Sequence, residues 1–131
     1  MSTTPQEDEN DNNAEVDWED QQRINMFSKL NTRFRSIEER IQSLKQEKEA
    51  LDDLNTELEL ADEDTPVLYR VGEAYVHLPH PRALKRLEKD QSVLEKELSK
   101  LKDQAEECEK EMKGLKVVLY AKFGKAINLD E

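Results

Sequence analysis

Between two long stretches of helical periodicity lie fourteen residues, Thr65–Leu78, the only part of the chain that alternates with period two. Gly72-Glu73 sits at their centre as a two-residue loop with Gly first. That is the form of a type II′ hairpin turn, because Gly takes positive φ without strain. Folding about this loop pairs Val71 with Ala74, Arg70 with Tyr75, Tyr69 with Val76, Leu68 with His77 and Val67 with Leu78. Side chains on a strand alternate between faces. One face is then Val67, Tyr69, Val71, Ala74, Val76 and Leu78, apolar throughout, and the other is Leu68, Arg70, Tyr75 and His77.

A lone hairpin is marginal in water and leaves two strand edges unpaired. No third strand is visible in the sequence, so the hairpin is expected to be completed by hairpins of other subunits. The alternative, a hairpin lying back on its own helices, needs apolar surface, and the two helical stripes offer little to spare.

The flanking stretches explain that narrowness. From Phe27 a heptad seam runs through Leu30, Phe34, Ile37, Ile41, Leu44, Lys48, Leu51, Asn55 and Leu58 in alternating steps of three and four. A second runs through Leu84, Leu87, Gln91, Leu94, Leu98, Leu101, Ala105, Cys108, Met112, Leu115 and Leu119. Polar seam positions such as Lys48 and Asn55 weaken a coiled coil but help to fix its register. Asp17 is placed to cap the first helix, with Asp20 at the position where a capping box puts Glu or Gln. Asp62-Glu63-Asp64-Thr65-Pro66 stops it. Pro81 suits the first position of the second helix, and Gly124 suits a left-handed cap, with Lys122 and Lys125 at the negative helix end.

The expected fold class is mostly α: a long antiparallel two-helix coiled coil with one central β-hairpin. Its parts are an acidic disordered tail 1–16, a first helix 17–61, a linker and hairpin 62–81, a second helix 82–124 and a C-terminal tail 125–131. Pairing about the loop brings Phe27 to Leu119 and Leu60 to Leu84, with both termini at the end away from the hairpin.

Charged residues make up 39% of the chain and aromatics 5%, which suits long solvated helices rather than a globular core. The net charge is −11. Two blocks, residues 1–20 and 49–64, hold sixteen acids and no base, leaving the rest of the chain slightly positive. Phosphate binding requires clustered Lys and Arg, so nucleic acid is not an expected partner. The bases Arg23, Lys29, Arg33 and Arg35 read as a solvated face. The single cysteine, Cys108, falls in the seam as a small buried hydrophobe, which fits a reducing compartment. No apolar run approaches a membrane span and no signal-peptide pattern is present, so a cytoplasmic protein with some nuclear presence is expected, with no membrane partner. His77 and His80 have no metal-ligand spacing, and no phosphate loop or nucleophile motif occurs. No enzyme activity, cofactor or metal is expected.

The helix ends opposite the hairpin gather Trp18, Ile24, Met26, Phe27, Val117, Val118, Leu119, Tyr120, Phe123, Ile127 and Leu129. This is more apolar surface than a two-helix seam buries. Two readings coexist: an exposed contact surface, and a cap made by Trp18 and the C-terminal tail.

Three segments carry a family resemblance: Trp18-Glu19-Asp20-Gln21-Gln22-Arg23-Ile24-Asn25 with Phe27, Leu60-Ala61-Asp62-Glu63-Asp64 through Val71-Gly72, and Leu119-Tyr120-Ala121-Lys122-Phe123-Gly124 with Ile127-Asn128-Leu129. Together they resemble the β-class subunits of prefoldin, over about residues 16–131. The resemblance implies a co-chaperone hetero-hexamer, in which this chain joins two α-class and three further β-class subunits through an intersubunit β-barrel. It further implies ATP-independent capture of non-native proteins, actin and tubulin among them, and hand-over to the cytosolic group II chaperonin. The assembly hairpin would be Val67, Leu68, Tyr69, Val71, Gly72, Ala74, Tyr75, Val76 and Leu78. The client-binding tip would be Trp18, Ile24, Phe27, Val118, Leu119, Tyr120, Phe123, Ile127 and Leu129. A passive coiled-coil spacer or tether is the competing reading.

Overall fold

The computed structural model describes residues 17–124 together with Ile127 and Leu129. The expected disordered tail 1–16 and most of the C-terminal tail lie outside the described residues. The element order is α1 (Trp18–Leu60), β1 (Val67–Val71), β2 (Ala74–Leu78) and α2 (His80–Phe123). The chain divides into two compact units, Met1–Glu38 with Gln104–Glu131, and Glu39–Asp103. Each helix contributes to both.

The heptad pattern accounts for what is buried. All ten seam positions of α1 and all eleven of α2 are buried or half-buried. In the first unit Phe27 packs with Leu119 and Phe123. In the second, Leu58 packs with Ala83 and Leu87, and Arg40 reaches Glu97 at 3.3 Å. Positions early in α1 meet positions late in α2 within each unit, so the pairing is antiparallel. The expected contact of Leu60 with Leu84 does not form. Leu60, the last residue of α1, is 84% exposed, and Leu84 instead joins the cluster around Leu58 and Leu87.

Two of the polar seam positions, Lys48 and Gln91, share a partner. Gln91 Nε2 donates across the seam to Asp52 Oδ1 at 3.2 Å, and Lys48 Nζ lies 3.2 Å from Asp52 Oδ2 on its own helix. A one-heptad slip would separate Gln91 from Asp52, so this bridge favours the observed register.

The helix ends follow local chemistry. The carboxylate of Asp17 accepts the N–H of Asp20 at 2.8 Å, a first-turn cap. Asp20 does not close a reciprocal capping box; its side chain is committed to cations, described below. Gly124, with φ of 59°, takes the left-handed conformation just past α2. Helix α2 starts two residues earlier than expected, at His80, which puts Pro81 at the second helical position. The carbonyl of Pro79 accepts N–H groups from Arg82 and Ala83 at 2.9 Å. A proline is harmless there, because N–H groups of the first turn have no helical acceptor.

The buried imidazole of His80 donates Nε2–H to the carbonyl of Leu58 at 2.8 Å, stitching the start of α2 to the last turn of α1. A carbonyl only accepts, which fixes the tautomer. Between the helices, β1 and β2 pair antiparallel in the expected register, all five pairs included. Gly72 has φ of 65° and no non-glycine residue among the described residues has positive φ, so the turn has the backbone signs of type II′. A Cβ at Gly72 would meet nothing within 4 Å, so the turn geometry, not space, selects glycine.

Candidate interaction surfaces

In the hairpin unit the inward face of β1 is covered by this chain's own helices, which corrects the expectation that other subunits must cover it. Tyr69 is only 2% exposed and belongs to the cluster of Leu58, Ala83 and Leu87, with Val67, Val71 and Leu78 packed against it. The receiving surface comes partly from Leu54 and Ala83, which stand outside the heptad seams and widen each stripe at this point. Completely burying one large side chain and partly burying three aliphatics supplies on the order of 5 kcal/mol before ordering costs. That is enough to seat a hairpin which alone would be marginal.

A polar contact fixes the same face. The Tyr69 hydroxyl donates to Asp90 Oδ2 at 2.8 Å, and Arg86 Nε holds both oxygens of Asp90 at 3.1 and 3.2 Å. Burial first, then the neighbouring Asp90 carboxylate, pushes the Tyr69 phenol well above its ordinary value, so it stays protonated as a donor. Period-two reading placed Tyr69 on the correct face but gave no sign of this triad. The i,i+4 spacing of Arg86 and Asp90 was its only visible trace.

Strand β2 is different. Ala74 through His77 are exposed, and the sheet among the described residues has only two strands, so no strand pairs with either outer edge. Leu68 at 53%, Tyr75 at 62% and Val76 at 39% exposure leave apolar surface on both faces of the hairpin. Of the expected assembly residues, Leu68, Gly72, Ala74, Tyr75 and Val76 are exposed, whereas Val67, Tyr69, Val71 and Leu78 face the interior of this unit.

In the other unit the residues expected at the tip divide in two. Phe27, Leu119, Phe123 and Leu129 form a buried cluster, with Ile24, Tyr120 and Ile127 half-buried against it. Trp18 at 75%, Met26 at 48%, Val117 at 70% and Val118 at 44% remain exposed. The capping and exposed readings are thus both realised, by different residues. Leu129, not Trp18, is the cap: its N–H donates to the Tyr120 hydroxyl at 3.0 Å.

Beside this cluster, the buried carboxylate of Asp20 takes Arg23 at 2.8 Å and the Lys122 ammonium, and Lys122 also reaches Asp17 at 3.3 Å. The carboxylate of Asp20 holds the Lys122 ammonium above its ordinary value. Asp17 is held below the usual carboxylate range, chiefly by the N–H of Asp20. Lys122 therefore ties the end of α2 to the start of α1, beyond any effect on its own helix terminus.

Comparison with known proteins places this architecture. A family model described as prefoldin subunit matches residues 21–126. The chain belongs to the prefoldin family. It is 42% identical over 119 residues to prefoldin subunit 4 of Saccharomyces cerevisiae, covering 91% of this chain and 92% of that one. It is 33% identical to prefoldin subunit 4 of Homo sapiens over 116 residues, 88% and 87% of the two chains. A probable prefoldin subunit 4 of Schizosaccharomyces pombe is 39% identical over 116 residues, 86% and 94%. The prefoldin match spans the hairpin and nearly all of both helices, and of the tip residues only Trp18, Ile127 and Leu129 lie outside it.

Proposed function

We propose that this chain is a β-class subunit of a hetero-hexameric prefoldin co-chaperone. Two α-class and three further β-class subunits complete the assembly, and β2 enters a shared β-barrel. The observation that carries this reading is the state of β2: exposed from Ala74 to His77, unpaired at its outer edge, and bearing the exposed Tyr75 and Val76, with Leu68 exposed beside it on β1. Edges of this kind are sites for strand addition.

The apolar tip residues then hold non-native proteins, actin and tubulin among them, for transfer to the cytosolic group II chaperonin without ATP. Each tip is a weak contact, and several around one client raise the effective concentration of the rest. The work is done in the cytoplasm and requires no cofactor and no catalysis.

Native mass spectrometry of the tagged chain, isolated gently from its own cells, tests the assembly. The expected species carries one copy of this chain with five different small coiled-coil partners. In the double variant Leu68→Glu, Tyr75→Glu these partners should be lost while the helical circular dichroism signal is retained. A monomer or homodimer from the wild-type chain would overturn the reading.

A further inference from the structure

Helix α2 leaves the hairpin with a line of cations along its outer side. Arg82, Lys85, Lys89, Lys96 and Lys100 recur at helical spacing, all exposed, with Val93 among them at 56% exposure. They lie opposite the seam of Leu84, Leu87, Leu94 and Leu98, and no acid between Arg82 and Lys100 shares their side of the helix. At 1.5 Å per residue the stripe is about 27 Å long. Among the described residues none of these cations has an ion-pair partner. Like charges three and four apart oppose one another on a helix, so the stripe weakens its own helix slightly while it has no partner.

The opposite charge lies on the other helix of the same unit. The outer side of α1 carries Glu49, Asp53 and Glu57, exposed and without an ion pair among the described residues, and ends at Leu60, 84% exposed. Asp62, Glu63 and Asp64 follow, also exposed. The spacing of the two sides agrees. Glu57 and Asp53 precede Leu60 by three and seven residues, and Lys96 and Lys100 follow Val93 by three and seven. In the other direction Asp62, Glu63 and Asp64 follow Leu60 by two to four residues, and Lys89 precedes Val93 by four. Val93 is also one lip of an open groove of about 480 Å³ lined by Leu51, Leu54, Leu94, Tyr69 and Tyr75, which gives a docked leucine apolar surface to meet.

We infer that the basic stripe of α2 is a docking surface for a second copy of this chain, which lays the acidic outer side of its α1 antiparallel along it. Leu60 of that copy meets Val93, with Glu57 at Lys96, Asp53 at Lys100 and the acidic turn after Leu60 at Lys89. The two copies offer different faces, so the contact is heterologous. Opposite charges steer the encounter and fix its register, and salt weakens it. Nucleic acid is the poorer match for the stripe, because the chain carries −11 overall and the acidic side of α1 belongs to the same unit. The contact uses no strand edge and does not rest on the reading of β2 above. In an assembly holding one copy of this chain, it joins one assembly to the next.

Sedimentation velocity of the purified full chain tests this. The sedimentation coefficient should rise with protein concentration in about 50 mM NaCl and return to the monomer value in about 500 mM. Lys96→Glu with Lys100→Glu should weaken the association more than about tenfold, and so should Asp53→Lys with Glu57→Lys. An equimolar mixture of the two double variants should restore it, because each supplies the charge that the other has lost. If a reversal variant loses helical signal, Lys96→Gln with Lys100→Gln takes its place and should weaken the association in the same direction.

A wild-type chain that stays monomeric in low salt would overturn the inference. So would association that ignores the charge reversals, which is the behaviour of pairing at the β2 edge, or a mixture that fails to restore it. Binding of a fluorescein-labelled DNA duplex that is lost in the Lys96→Glu, Lys100→Glu variant, with no self-association of the wild type, would assign the stripe to nucleic acid instead.

Discussion

Replacing Tyr69 with Phe removes one oxygen at the edge of the hairpin unit's core and leaves the buried ring in place. The lost contact is a hydroxyl donating at 2.8 Å to a carboxylate that is itself held by Arg86. Hydrogen bonds to charged groups contribute about 1.5–3 kcal/mol. The Asp90 side chain is 29% exposed and keeps Arg86, so water can replace part of what is lost. The expected cost is therefore at the low end, about 1.5 kcal/mol. For a chain of this size that corresponds to a drop in Tm of roughly 3–6 °C. Urea titration followed at 222 nm measures it directly.

The same substitution carries a pH signature. Because the folded Tyr69 phenol lies above its unfolded value near 10, its contribution is complete below about pH 10 and is lost as pH rises toward the folded value. Wild type should therefore lose part of its advantage over Tyr69→Phe above pH 10, while the difference stays flat between pH 7 and 9. Equal urea midpoints at pH 7 would refute the argument and leave apolar contact alone to hold the hairpin.

Other outcomes follow from single contacts. Gly72→Ala should cost about 1 kcal/mol through its positive φ alone, and Gly72→Asn should recover much of this in the same urea titration. Asp20→Ala, which removes the carboxylate shared by Arg23 and Lys122 and leaves Lys122 only Asp17, should cost about 1 kcal/mol in a thermal melt. Asp17, held low by the Asp20 N–H, should lose its capping contribution as pH falls from about 4 through its folded value. The exchange protection of the Asp20 amide, relative to its intrinsic rate, should fall there. Cys108, 2% exposed, should react with a thiol reagent only at the rate at which the seam around it opens.

Much of the fold can be read from the sequence, because two periodicities dominate it. A heptad repeat commits side chains to one stripe of a helix wherever the partner lies. A two-residue Gly-Glu loop fixes strand register through backbone sterics alone. Phe27, Leu119 and the five hairpin pairs follow from these local rules, as do the Asp17 cap and Gly124.

What local rules do not contain is which surface a non-periodic residue meets. Leu54 and Ala83 stand off the seams and look like noise until β1 lies on them. The seating of Tyr69 over Asp90 joins residues 21 positions apart through a donor and an acceptor that no periodicity aligns. Leu60, which counting about the loop pairs with Leu84, ends exposed at the last turn of its helix, while Leu129, in a tail without periodicity, ends buried. Burial of these residues depends on summed contacts across segments distant in sequence. Only the tertiary structure decides it, and so only the tertiary structure shows which apolar residues are free to meet another protein.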